Sequence, residues 1–275
     1  MSTTPTPTPA SAASAPPAAP AFTPPTRLSR GTLLRVFLRS LFLQASWNPK
    51  GMQNLGLAYA VYPALAKLYP PGPLRETAVR RHLVFFNTHP YVAAAIVGGV
   101  VNHEQKIARG EETPDRVVGF KAALMGPLAA LGDGFFWLSL KPAVGGLCAA
   151  MVPLLGVWAV LLFLVLYNLV HLLLRIRLYW LGLSLGDRLV EAVARVNLPA
   201  KGARLRGVAA ASAGGLAAWL AVSFGATAGG TWAPFLAVGC LAVGVLAYVA
   251  VNRRVPTYVV LYVAAGLACA AGAFL

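Results

Sequence analysis

Two short polar blocks interrupt an otherwise apolar chain, and both carry side chains suited to a hydroxylated ligand. The first, Gln44-Ala-Ser-Trp-Asn-Pro-Lys-Gly-Met-Gln53, sets amides and an indole at the end of an apolar helix, ahead of a proline. The second, Phe85-Phe-Asn-Thr-His-Pro90, lies between a basic segment (Arg80, Arg81, His82) and the apolar run Tyr91 to Val101. Pro90 blocks simple helix continuation, so this block marks a break at the edge of a buried layer. The shared grammar predicts one composite site. Amides read hydroxyls and an indole covers the apolar face of a ring, which is the chemistry of a sugar pocket.

Each residue also has a structural reading. Trp47 fits an interfacial belt, while Asn48, Asn87 and Thr88 fit caps or turns that satisfy backbone groups at helix ends. His89, ahead of a proline, fits a hydrogen bond to a freed carbonyl, and Gln44 is the weakest ligand candidate. Asp133, an isolated acid among apolar residues, is either a functional group or the N-cap of a helix over 134–140. Lys121 reads as a snorkelling side chain. His82 and His89 stand seven apart with no third ligand in view, so no metal is expected. No paired acid and base and no activated nucleophile is in the pattern, which argues against a membrane enzyme.

The elements that must position these blocks belong in a bilayer. The chain has 275 residues, 58% of them hydrophobic and 11% charged, with a mean hydropathy of +0.67, too apolar for an ordinary soluble domain. Its net charge is +15, and all eight acids lie at or before Glu191. A basic excess in such a chain reflects cytoplasmic loops near anionic lipid rather than nucleic acid, since no basic face is interleaved with stacking aromatics. Cys148, Cys240 and Cys269 each sit alone in an apolar run, so neither a disulfide nor a metal framework is expected.

In chain order, residues 1–28 form a Thr/Pro/Ala-rich tail that cannot bury enough surface to order itself. Apolar residues at helical spacing from Leu33 to Phe42, with Ser29 as N-cap, predict an amphipathic helix, either at the cytoplasmic interface or packed inside a complex. Gly56 to Tyr69 predicts a second helix, closed by Pro70-Pro71-Gly72-Pro73. Tyr91 to Val101 is apolar but about 11 residues long, short of the roughly 20 needed to span, and reads as re-entrant or partly buried. Asn102 to Glu112 is the most charged stretch and reads as a solvated loop or helix end. Gly119 to Asp133, punctuated by Gly126, Pro127 and Gly132, predicts an interrupted helix of the kind that lines a cavity. Leu154 to Leu174 predicts a clear crossing, its end marked cytoplasmic by Arg175 and Arg177. Residues 207–228, 233–251 and 255–275 predict three more. The fold class is therefore all-α, a polytopic membrane protein with amphipathic N-terminal helices, interrupted or re-entrant segments and C-terminal transmembrane helices. After the tail, 29–275 reads as one membrane domain, with broken helices handling substrate over 29–140 and transmembrane helices with a cytoplasmic loop over 141–275. Basic residues from Arg27 to Arg39 place the N-terminus in the cytoplasm, so an odd number of crossings precedes Leu154.

With these blocks in view the chain resembles the membrane-bound IID component of the mannose/fructose/sorbose family of the bacterial sugar phosphotransferase system. The matching residues are Leu43 to Asn48 with Met52-Gln53, Leu68-Tyr69-Pro70, Arg80 to Leu83 with Phe85 to Pro90, and Leu124 to Ala129 with Gly132-Asp133 and Phe136-Trp137. The resemblance covers Ser29 to the C-terminus. It implies a multi-pass protein of the bacterial inner membrane that pairs with a IIC subunit in a hetero-oligomer and binds a hexose. Soluble IIA and IIB partners carry the phosphoryl group, so the chain itself is non-catalytic and uses no cofactor. The implied sugar contacts are Ser46, Trp47, Asn48, Gln53, Asn87 and Thr88, with His89 added from the second block. Three positions depart from the pattern: Pro49-Lys50-Gly51 in place of an aromatic, Glu and Arg; His103 in place of an acid; and a short link from Phe224 to Trp232. The first motivates an alternative, a degenerate subunit acting as a sugar sensor without active transport.

Overall fold

A computed structural model describes residues 22–227 and scattered positions from 238 to 266, and among these it is helical with two isolated β-bridges and no strand. Residues 1–21 of the tail, Cys240, Cys269, most of the last two predicted crossings and most of the Phe224–Trp232 link lie outside the described residues. The end of the predicted tail is anchored: Leu28 is buried, its N–H donates to Gln105 Oε1 at 3.2 Å, and Arg109 donates to the Thr26 carbonyl at 3.0 Å.

Helix α1 (Arg30–Ser40) starts at Ser29, whose Oγ accepts the Thr32 N–H at 3.3 Å. It buries Val36 and leaves Leu34, Leu38 and the following Phe42 exposed, so it packs by one face and offers a second apolar one. Helix α2 (Asn54–Leu68) ends where Tyr69 turns extended, and the proline cluster then places Gly72 at φ 111° before Pro73 opens α3 (Pro73–Arg80).

Helix α4 (Ala93–Ala108) is the centre of the fold. Ala93 to Val101 are all buried, against α2, α5 and above all α8. The stretch after Val101 forms a helix end, as one of the two expectations had it, running on through seven more residues, but the expected solvation fails at His103 and Glu104: both are fully buried, Glu104 held by Tyr69, Arg81 and His82 and His103 lying 2.6 Å from Glu112.

The interruption expected near Gly126 to Asp133 is absent as a break. Helix α5 (Pro114–Gly132) carries Pro127 inside it and continues through a π-helical stretch (Asp133–Leu140) into α6 (Lys141–Ala150). Asp133 lies inside this continuous helix with helical dihedrals, so it caps nothing. A short α7 (Val152–Leu155) turns at Gly156, φ 54°, into α8 (Trp158–Leu185). The predicted stop at Leu174 is overrun by eleven residues, since Arg175 is accommodated within the protein while Arg177 points outward. Gly186 (φ 52°) and Asn197 (φ 50°) then delimit a 3-10 turn (Gly186–Arg188) and α9 (Leu189–Val196) ahead of α10 (Leu198–Thr227). Pro114–Ala150 and Trp158–Leu220 are long and apolar enough to cross a membrane by length and composition.

The α4–α8 crossing is close. A Cβ on Gly98 would lie 2.2 Å from the Tyr179 carbonyl, and one on Gly182 would lie 2.0 Å from the Ala95 carbonyl. Paired small residues let the two backbones touch, the packing that helices use where lipid removes the hydrophobic drive between them.

Candidate functional site

Met52 joins the two polar blocks. Its backbone bridges Asn48 in one direction and Phe86 in the other. The Asn48 N–H donates to the Met52 carbonyl (3.1 Å) and the Met52 N–H to the Asn48 carbonyl (2.8 Å), closing a tight loop over Pro49-Lys50-Gly51. Gln53 N–H then donates to the Phe86 carbonyl at 2.9 Å, and Phe86 N–H to the Gly51 carbonyl at 3.3 Å. Met52 holds φ 57°, and a Cβ on Gly51 would lie 2.1 Å from the Asn54 amide nitrogen. A side chain at position 51 would have to displace the Asn54 amide, and the departure at Pro49-Lys50-Gly51 folds as a defined turn.

Within this frame the candidate residues separate by what their polar atoms already hold. Asn48 Oδ1 accepts the Gly51 N–H (2.8 Å) and its amide donates to Asn54 Oδ1 (3.0 Å). Gln53 is buried, and its amide closes a two-way clasp on the Thr88 backbone, donating to the carbonyl at 2.7 Å and accepting the N–H at 3.1 Å. Both side chains thus hold partners within the chain. Trp47, 54% exposed, and Asn87 stand at the surface, Ser46 is half-buried, and Asn87 makes no side-chain hydrogen bond among the described residues. Thr88 and His89 are buried, and neither Thr88 Oγ1 nor His89 Nε2 has a partner among the described residues. Gln44 is exposed.

His89 is fixed on several sides. Its ring stacks on Phe136 at 4.9 Å, meets Tyr91 edge-on at 5.2 Å, and lies so close to Gly132 that a Cβ there would come within 2.3 Å. Burial pushes its imidazole down to about 4, with the Arg175 cation adding to the effect, so the ring is neutral near pH 7. Nδ1 accepts the Tyr91 N–H at 3.3 Å. The proton of the neutral ring is thus on Nε2, a buried donor with no acceptor.

Behind the second block lies a buried ionic network. Glu104 accepts two hydrogen bonds from Arg81 (2.7 and 2.5 Å), one from His82 Nε2 (2.8 Å) and one from the Tyr69 hydroxyl (2.7 Å). Burial alone would raise the Glu104 carboxyl; the bonds from Arg81 and His82 overcome it and hold the group at about 2. Burial pushes the His82 imidazole down despite Glu104. Lys121 does not snorkel: it is buried and donates to the Arg81 carbonyl at 2.6 Å. His103, standing where an acid was expected, lies 2.6 Å from Glu112 through Nδ1 and 3.4 Å from Asp187 through Nε2.

Sequence reasoning missed a polar stripe on α8. Tyr167, His171 and Arg175 recur at four-residue spacing on its buried face, and the ring of His171 stacks on Tyr91 at 4.3 Å. The signal was present as one hydrogen-bonding residue per turn in an apolar run, hidden because overall hydropathy dominated that stretch.

The sequence model of the phosphotransferase system mannose/fructose/sorbose family IID component matches residues 27–231, which leaves the last predicted crossings outside the match. The mannose-specific IID component of Escherichia coli K12 is 41% identical over 167 residues, 60% of this chain and 59% of that protein. The chain thus aligns with less than two thirds of the length of the curated relatives it matches. A solved membrane-protein structure superposes with a TM-score of 0.63 at 36% identity, covering 69% of this chain and 70% of the other. A chain of the cryo-EM complex of the mannose transporter ManYZ with microcin E492 superposes with a TM-score of 0.56 at 28% identity, covering 90% and 96%.

Proposed function

Because the chain belongs to the IID component family of the mannose/fructose/sorbose phosphotransferase system, we propose that it is a translocation subunit that binds a mannose-type hexose jointly with a IIC partner. Soluble IIA and IIB partners phosphorylate the sugar on arrival, and the chain supplies no catalytic group or cofactor. The observation that carries this reading is the Met52 double bridge with the Gln53–Thr88 clasp, which knits the two polar blocks into one surface while leaving Trp47 and Asn87 open on it. An open half-site of this kind fits a pocket completed by a second subunit. Trp47 stacks on the sugar ring, Asn87 and Ser46 read hydroxyls, and Thr88 and His89 offer the unpartnered Oγ1 and Nε2 behind them. Asn48 and Gln53 hold these groups in register.

The same reading places the chain in the bacterial inner membrane as a multi-pass subunit with a cytoplasmic N-terminus. Residues 29–140 handle substrate and 141–275 supply further transmembrane helices. Exposed apolar side chains along α8, among them Leu161, Leu164, Val165 and Leu169, suit lipid or a partner helix. The test is uptake of labelled mannose, glucose, fructose and N-acetylglucosamine in cells carrying this chain with its IIC, IIA and IIB partners. Trp47→Ala and Asn87→Ala should each abolish accumulation of phosphorylated sugar while the complex still assembles. Assembly without uptake of any of these sugars by wild type overturns transport of them and leaves a sugar-sensing subunit.

A further inference from the structure

Arg175 is a buried cation without a counter-ion among the described residues. It retains 5% of its surface, within the apolar α8. One terminal nitrogen donates to the Ser40 carbonyl at the end of α1, and Nε is buried with no partner among the described residues. All eight acids of the chain lie among the described residues, and none is within ion-pair distance of Arg175. Glu104 is taken by Arg81 and His82, Glu111 by Arg109, Glu112 by His103 and Lys106, and Asp187 by Arg116 and His103. The groups that interact electrostatically with Arg175 are the imidazoles of His89 and His171 and the phenol of Tyr91, and none of them is a carboxylate. Arg177, two residues on, is exposed and free to reach headgroups, so the burial of Arg175 is not a general property of this end of the helix.

A guanidinium taken out of water and left unpaired is among the costliest groups a fold can hold, and in a membrane helix it marks a functional partner by default. Its planar fork is matched to a carboxylate. We propose that a carboxylate of the IIC partner closes on Arg175, completing an ion pair that neither subunit possesses alone. The site lies where α1 delivers the first polar block and α4 begins just after the second, so the pair ties subunit docking to the residues that frame the sugar surface. A chain with a net charge of +15 and no spare acid nearby is complementary to such a partner. This inference rests on the IIC pairing proposed above.

The experiment is a double-mutant cycle on the complex in nanodiscs, with its dissociation constant read by labelled-subunit exchange. Arg175→Gln and Arg175→Lys are combined with Asn or Gln at each Asp and Glu of IIC. Arg175→Gln should weaken the complex about 100-fold and Arg175→Lys less. One IIC acid should show a loss of similar size that does not add to that of Arg175→Gln, and exchanging the two charges should restore part of the affinity. The exchange keeps the test decisive if Arg175→Gln alone misfolds. If wild type assembles but every IIC acid adds independently, or if native mass spectrometry finds an anionic lipid bound in wild type and lost in Arg175→Gln, the counter-ion proposal is overturned while the pairing stands. A wild-type chain that does not assemble with IIC overturns both.

Discussion

Replacing Glu104 with Gln removes one charge and almost no volume, and the geometry sets the size of the effect. The carboxyl sits at about 2 in the fold against an ordinary 4.5, which corresponds to about 3 kcal/mol of stability at neutral pH. Independently, breaking a buried pair by removing one partner costs about 3–5 kcal/mol, and Arg81 would be left at 11% side-chain exposure without an anion. For a protein of this size about 3 kcal/mol lowers Tm by roughly 6–12 °C. The assay is thermal unfolding of the purified protein in detergent at pH 7, repeated at lower pH. Because the folded carboxyl is depressed, the folded state binds fewer protons than the unfolded one between about 2 and 4.5. Stability from this group is therefore complete above 4.5 and lost as pH falls towards 2, so the gap between wild type and Glu104→Gln should close over that window. Adding Arg81→Met should cost less than the sum of the single changes. A variant within about 1 kcal/mol of wild type at pH 7, or strict additivity with Arg81→Met, would refute the network as a source of stability.

Gly182→Ala should lower Tm by several degrees, because its new methyl meets the Ala95 carbonyl at 2.0 Å and overpacking costs about 1–3 kcal/mol; a companion Gly119→Ala, in open space, should not. Gln53→Leu leaves the Thr88 N–H and carbonyl unpaired at a cost of about 2–4 kcal/mol, and labelled-sugar uptake should fall although residue 53 spends both ends of its amide on backbone. Arg116→Ala removes an ion pair whose two side chains are about half exposed, and its unfolding temperature should differ from wild type by no more than about 1 kcal/mol allows.

The membrane class, the helical content and the pairing of the two polar blocks were legible because each is written locally. Apolar runs, proline clusters and a Ser29 cap act through neighbours a few residues away, and the blocks announce themselves by polarity in an apolar context. The reading of Asn48 as a turn former and of Trp47 as a surface indole was likewise among the alternatives that local chemistry offered.

What local patterning left open was who satisfies whom across the fold. Asn102 to Glu112 reads as solvent-facing by charge, yet Glu104 is buried because Tyr69, Arg81 and His82 converge on it from elsewhere in the chain. Lys121 reads as snorkelling, yet it caps the Arg81 carbonyl from another helix. Gln53 reads as a sugar ligand, and its long-range bonds to the backbone of Thr88, thirty-five residues on, could not be read from its neighbours. The sequence by itself determined an apolar helical membrane chain with two polar blocks. The tertiary structure decided which polar groups are spent inside the protein and which remain open, because hydrogen-bond satisfaction of a buried group depends on long-range partners that no local spacing encodes.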